Sequence, residues 1–270
     1  MDPAIRELTD ALRRARGRPI VIVTGAGISA ASGISTFRGS DPDAVWNQYD
    51  IEMATFGFFE RDPVAQWRWY LERFRRALAA EPNPAHHALV ALEGWAEGRF
   101  DLVTQNIDTL HERAGSQALI KVHGSADRVR CSRAGCSLGE PIGSLPRHEK
   151  DFAPFLAEPR RDNLPTCPEC GSLLRAHVLF FDEYYTAHRD YRYREVADAA
   201  ERAELLIFIG TSMAVGVTEM FLQAAARRGV PAYSLDPAAE RVPRGVRPLA
   251  AKAEELLPAV AVELASSRID

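Results

Sequence analysis

The sequence predicts an α/β protein: a parallel sheet covered by helices on both faces, with a smaller module set into it. Three observations lead there. Short β-branched or apolar runs recur along the 270 residues, and helical patterns lie between several of them. The first run, residues 19–24, is apolar without alternation, as a strand buried on both faces must be. Two stretches, residues 62–80 and 128–175, break the alternation and read as one insertion beside the sheet.

Taken in order, Ile5, Leu8, Ala11, Leu12 and Ala15 fall at helical spacing within residues 3–16. The strand at 19–24 runs straight into Gly25-Ala26-Gly27-Ile28-Ser29. Further strands are expected at 100–104, 118–122, 177–181, 205–209 and 230–234. Helices are expected at 85–95, 195–203 and 217–228, and a closing helix at 251–264. The expected division gives residues 1–47, 86–127 and 177–270 to the sheet domain. Residues 48–85 and 128–176 form the small helical and cysteine-bearing module.

Composition narrows the function classes. With 46% hydrophobic and 26% charged residues the chain is an ordinary folded protein, and 33 basic against 37 acidic side chains give a net charge of −4. A general nucleic-acid clamp carries a positive excess, so no nucleic-acid partner is expected. The apolar run at 205–217 is interrupted by Gly210, Thr211 and Ser212, short of the roughly 20 residues a spanning helix needs. The first 17 residues lack the apolar core of an export signal. The expectation is a cytoplasmic protein with reduced thiols, no membrane partner and a monomeric state.

Gly25 and Gly27 let the backbone turn tightly enough to approach a pyrophosphate, and the helix expected to follow offers N–H groups and a positive dipole end to it. The spacing is not G-x-G-x-x-G, because the third glycine comes only at Gly33. On glycines alone a nucleotide site and a plain tight turn stand level. Thr36, Phe37 and Arg38 tip the balance, since an arginine and an aromatic ring suit a phosphate and a flat base.

Cys131 and Cys136, with Cys167 and Cys170, form two thiol pairs separated by 30 residues. In a reduced compartment two such pairs are a zinc signature, and four thiolates complete a closed, structural tetrahedron. Such a site couples about 10–16 kcal/mol of apparent metal affinity to folding.

Three polar clusters fall at strand ends, where ligands of parallel sheets bind. Gln105, Asn106, Ile107 and Asp108 follow one strand and offer donors and acceptors to sugar hydroxyls or an amide. Helix capping by Asp108 is the plainer alternative. His123, with Gly124 and Ser125, closes the next strand and is a candidate general base near neutral pH. Gly210, Thr211 and Ser212 end a later strand. His86, His87 and His111 read as structural or surface residues.

Together these segments resemble the sirtuins, NAD-dependent protein lysine deacylases. The matching stretches are the glycine loop from Gly25 to Ile34, Thr36-Phe37-Arg38, Thr104 to His111, His123-Gly124, the four cysteines, Phe181-x-Glu183 and Gly210 to Ser212. The resemblance implies a Rossmann-like sheet, NAD as a consumed co-substrate and one structural zinc. It implies the pyrophosphate near Gly25, Ala26, Gly27, Ser29 and Ser212, with Gly210 and Thr211 beside it. Gln105, Asn106, Ile107 and Asp108 would meet the nicotinamide and its ribose, Phe37 would cover that pocket, and Thr36 and Arg38 would help hold the cofactor. The acyl-lysine oxygen would attack the ribose carbon as nicotinamide leaves. His123 would then serve as general base, passing the acyl group to ADP-ribose.

Tyr70 and Arg73 share a face of the helix at 62–80 and are similar to the Tyr-x-x-Arg of class III sirtuins, which remove succinyl, malonyl and glutaryl groups. Arg73 could pair with a distal carboxylate and Tyr70 could donate to it, favouring such a substrate about ten- to a hundredfold. The alternative is an amphipathic helix with Tyr70 packed and Arg73 in water. Some positions depart from the family pattern. Asp182 stands where glycine is usual, beside Phe181 in the segment that pairs with the substrate peptide, and would be strained if the backbone there needs positive φ. Asp236 replaces an asparagine on the adenosine side and can still accept from ribose hydroxyls. Ala251 stands where glycine is common, and residues 184–194 are rich in tyrosine and arginine. The competing functions are an ADP-ribosyltransferase or NAD hydrolase on the same scaffold, and a non-catalytic binding module.

Overall fold

The computed structural model describes residues 2–36, 51–213, 216–238 and 242–266. Phe37 and Arg38 lie outside the described residues. The described strands are β1 (Ile20–Thr24), β2 (Phe100–Thr104), β3 (Leu119–Lys121), β4 (Gly124–Cys131), β5 (Leu145–Pro146), β6 (Leu174–Val178), β7 (Leu205–Ile209), β8 (Ala232–Leu235) and β9 (Val246–Leu249). The α-helices are α1 (Pro3–Ala15), α2 (Phe56–Arg61), α3 (Pro63–Ala79), α4 (Pro84–Trp95), α5 (Leu110–Ala114), α6 (Ala153–Ala157), α7 (Tyr193–Arg202), α8 (Gly216–Arg228) and α9 (Ala253–Ser266).

Six of the described strands form a parallel sheet in the order β3-β2-β1-β7-β8-β9. Its central strand shows why the first apolar run does not alternate. Ile20 and Ile22 pack with Leu8 and Leu12 of α1, Leu89 of α4 and Val260 of α9. Val21 and Val23 face the other way, onto Val196 of α7 and Phe221 of α8. Helices therefore dry both faces, as the α/β reading requires.

Local signals set the helix starts. Asp62 caps α3 by accepting from the Ala65 N–H at 2.9 Å, with Pro63 in the first turn. Asn83 and His86 form a reciprocal cap on α4, again followed by proline. The glycine loop leads into a 3-10 turn, Ala26–Ser32, that ends at Gly33 in the left-handed region.

The insertion is a three-stranded antiparallel sheet, β5-β4-β6, packed with α2, α3 and α6. Trp67 and Phe74 of α3 meet Val129, Phe155 and Leu174 in its core, and the Trp67 indole donates to the Leu174 carbonyl at 2.9 Å.

One expectation needs correction, and one strand lies outside the expected set. The strand placed at 177–181 does not join the parallel sheet. It is β6, Leu174–Val178, paired antiparallel with β4. Arg130 and Arg175 lie opposite one another in that ladder and are both buried, because Glu183 bridges them at 2.9 and 2.5 Å. Buried charge of this kind hides a strand from an apolar pattern. The sixth parallel strand, β9, is Val-Arg-Pro-Leu, and its Pro248 is tolerated because β9 is an edge.

Candidate functional site

Strand order runs outward from the centre in both directions: β2 and β3 to one side of β1, β7 to β9 to the other. The carboxyl ends of β1 and β7 therefore flank a topological switch point, where parallel sheets leave a crevice. The loops there touch backbone to backbone. Gly25 N–H donates to the Ile209 carbonyl at 3.0 Å and Gly27 N–H to the Gly210 carbonyl at 2.8 Å. A Cβ on Gly27 would stand 2.6 Å from the Gly210 Cα, and Gly210 itself has φ +57°. These glycines are fixed by the approach of one loop to the other.

The loop after β2 is tied down behind this contact. The Asn106 amide donates to the Gly25 carbonyl at 3.1 Å and to Ser29 Oγ at 3.2 Å, and Ser29 Oγ donates to Asp108 Oδ2 at 3.0 Å. Asn106, Ser29 and Asp108 are all buried. Asp108 also accepts the Leu110 N–H at 3.0 Å, but it stands one position before the N-cap of α5, Thr109, so it ties the helix start into the network without being its cap. Gln105 reaches Thr211 Oγ1 at 3.1 Å, linking the loops after β2 and β7.

His123 sits at the floor of the crevice, half-buried. Its Nδ1 lies 2.8 Å from the Gln105 carbonyl, which can only accept, so Nδ1 carries the proton and Nε2 the lone pair. Burial lowers its pKa to about 4, against the pull of that carbonyl, and keeps the ring neutral across the physiological range.

A cavity of about 440 Å3 opens from these loops toward α3. Gly25, Ala26, Gly27, Thr36, Gln105, Asn106, Ile107, His123, Gly210, Thr211 and Ser212 line it, and so do Tyr70 and Arg73 of α3 and Phe181 after β6. Ser29 and Asp108 support it from behind. Ser234, at the end of β8, and Asp236 line its far side, whereas Ala251 packs beneath against the main core. Tyr70 is buried and stacked on Phe180, 5.8 Å between centroids, and burial raises its phenol above the ordinary range. Arg73 lies with its guanidinium 5.1 Å over the Trp69 ring. Trp69 and Ala54 also line the cavity. Sequence reasoning passed over Trp69, although its i,i+4 spacing to Arg73 is a tighter helix-face relation than that of Tyr70.

Asp182 escapes the strain expected of it. It is not among the described residues with positive φ. Its carboxylate accepts the Phe56 and Gly57 N–H groups at 2.7 and 3.0 Å, pinning the start of α2 to the segment after β6. Glu183 points away from the cavity. Burial pushes its carboxyl up, but Arg175 and Arg130 outweigh that and hold it down. His177, His188 and Asp190 also converge, yet their hydrogen bonds already use the ligand atoms. Asp190 Oδ2 faces His177 Nε2 at 3.3 Å and Ser144 Oγ at 3.1 Å, and His188 Nδ1 accepts the Asp190 N–H at 3.1 Å.

The four cysteines meet away from the sheet. Cys131 and Cys170 sulfurs are 3.5 Å apart, and those of Cys136 and Cys167 are 3.7 Å apart. That is far beyond a disulfide of about 2.05 Å. It matches the edge of a tetrahedron with metal–sulfur bonds of about 2.3 Å, so the donor set fits one zinc ion.

Among the described residues, no helix is long and apolar enough to cross a membrane. A model of the Sir2 family matches residues 25–217. An NAD-dependent protein deacylase of Thermococcus kodakarensis is 42% identical over 199 residues, covering 73% of this chain and 72% of that protein. A solved mutant of a Sir2 homologue in complex with ADP-ribose is 33% identical, with a TM-score of 0.82 over 100% of this chain and 98% of that one. A solved Sir2 mutant with a deacetylated peptide and 3′-O-acetyl-ADP-ribose is 30% identical, with a TM-score of 0.80 over 96% and 98%.

Proposed function

The chain belongs to the Sir2 family, and from that premise we propose how its residues carry out NAD-dependent protein lysine deacylation. NAD is the co-substrate, acylated lysines of proteins are the substrates, and the four-cysteine cluster suits a structural zinc. One observation carries the reading: the loops after β1, β2 and β7 and a face of α3 open onto one cavity, with a neutral imidazole between them.

On this reading the glycine loop and Ser212 hold the pyrophosphate, and Asp236 accepts from the adenosine ribose. Asn106, braced by Ser29 and Asp108, faces the nicotinamide ribose, with Gln105 and Ile107 beside it. The first step develops positive charge at the ribose carbon, and a preorganised polar loop stabilises it without reorganisation. His123 Nε2 takes the proton of a ribose hydroxyl as that oxygen adds to the acyl carbon; water then adds, the lysine amine leaves with a proton and the acyl group stays on ADP-ribose. Tyr70 and Arg73 stand where the acyl chain would end, and their chemistry favours an acidic acyl group such as succinyl. We assign residues 1–47, 86–127 and 177–270 to the NAD-binding domain and 48–85 and 128–176 to the small module, except that the pairing of β4 with β6 carries residues 124–127 and 177–178 into the small module's sheet.

The test is nicotinamide release from NAD with acetyl-, succinyl- and glutaryl-lysine peptides of one sequence. Release that requires peptide, with loss of the acyl mass, is expected. Release with unchanged peptide would mean hydrolysis, and mass gain on a protein would mean ADP-ribosylation.

A further inference from the structure

The segment after β6 brings one residue to the imidazole that the mechanism leaves unused. Tyr185 lies 62 residues along the chain from His123, yet its hydroxyl is 3.3 Å from His123 Nε2. The two rings stack, 5.7 Å between centroids at 28°. Behind Tyr185, Tyr193 at the start of α7 stacks in turn, at 5.4 Å and 18°. Tyr185 also packs among the apolar side chains between the sheet and α7 and α8, and stands close to Gly216 at the start of α8.

Tautomer logic gives the direction of the contact. The Gln105 carbonyl takes the Nδ1 proton, so Nε2 is an acceptor and the Tyr185 hydroxyl is the donor. The lone pair that must receive the ribose proton is thus already capped by a phenol. We propose that Tyr185 is a positioning residue for His123: its ring fixes the imidazole plane and its hydroxyl holds Nε2 until the ribose hydroxyl of the co-substrate takes its place. This rests on the reading of His123 as general base. The contact has two consequences. The donated hydrogen bond favours the neutral imidazole, and it keeps the ring from rotating away from the cavity while no nucleotide is bound.

The groups facing the pair are few. Among the described residues no charged side chain contributes to the state of His123, where burial is opposed only by the Gln105 carbonyl. Burial raises the Tyr185 phenol and the Val217 backbone amide lowers it, with Tyr193 as its titratable neighbour.

Tyr185→Phe keeps the stack and removes the donor. Ring NMR of His123 in the full-length free protein should show its pKa rising by about half to one pH unit, since a hydrogen bond to the neutral form is lost. The acid limb of the kcat/KM profile should rise by the same amount. Tyr193→Phe, which removes a hydroxyl with no partner on His123, should move neither. An unchanged His123 titration in Tyr185→Phe overturns the proposal, as does an equal shift in Tyr193→Phe. A titration that moves while the acid limb of kcat/KM stays fixed also overturns it, because that limb reports the free enzyme and the imidazole held by the phenol would then not be the base that governs the reaction. Wild-type protein inactive on every acyl peptide would instead sink the deacylase reading, and the free-protein titration would still decide whether the phenol holds the imidazole.

Discussion

Replacing Arg73 with methionine removes a charge while keeping a stem of similar length against Trp69. Arg73 is half-buried at the cavity wall, with its guanidinium 5.1 Å over the Trp69 ring and Tyr70 on the same helix face. A charge-assisted hydrogen bond to a carboxylate contributes about 1.5–3 kcal/mol. Partial solvent access puts Arg73 in the lower half of that range, so the loss converts to roughly ten- to thirtyfold in kcat/KM. The contact exists before and during reaction alike, so the effect falls on KM more than on kcat. The assay compares succinyl- and acetyl-lysine peptides of identical sequence at saturating NAD. Arg73→Met should cost the succinyl peptide that factor and leave the acetyl peptide within about twofold. Equal losses on both peptides would refute the acidic-acyl assignment and leave Arg73 as packing around Trp69.

Three further outcomes follow from the geometry. His123→Ala should abolish acyl transfer while NAD binding by calorimetry persists, because the glycine loop and Asn106 network do not depend on the imidazole; near-normal turnover would remove its role as base. Cys167→Ser, or a strong chelator, should release bound zinc and unfold the small module, raising the exposure of Trp67, which is 1% exposed in the fold; metal-free protein with unchanged tryptophan fluorescence and Tm would contradict a structural zinc. Finally, burial lowers His86, His111 and His177 to about 4, 3 and 4. Unfolded, they titrate near 6.5, so the unfolded chain binds more protons between about pH 6.5 and 4. Stability present above pH 6.5 is therefore lost as pH falls through that window, by ~1.4 kcal/mol per pH unit for each histidine. Thermal scans should show a Tm that falls steadily from pH 6.5 to 4.5, and a flat Tm would count against buried neutral rings.

The parts of the fold that could be read from sequence are those where side-chain chemistry repeats along the chain. The β1 run is apolar because both faces are dry, and the glycine loop is glycine because Gly210 leaves no room for a Cβ. The cysteine pairs announce their metal geometry through spacing alone. Where the chain solves a problem across distance, the pattern is silent. β4 and β6 carry Arg130 and Arg175 inside the module, legible only once Glu183 is known to fold back onto them. Asp182 reads as a misplaced charge until the α2 amides appear above it. Tyr185 belongs to a stretch whose aromatic and basic residues gave no single reading, and its partner is set by the tertiary fold. The site itself was legible as loops after strands, because a parallel sheet places them at one edge. The depth of Ser29 and Asp108 behind Asn106 was not, since burial is decided by the packing of two loops.

The most direct test of the central claim is a single-turnover mass balance with NAD and an acyl-lysine peptide. For each peptide deacylated, one nicotinamide and one O-acyl-ADP-ribose are expected, with the acyl group found on the ribose. Free ADP-ribose and nicotinamide formed while the lysine keeps its acyl group would contradict it.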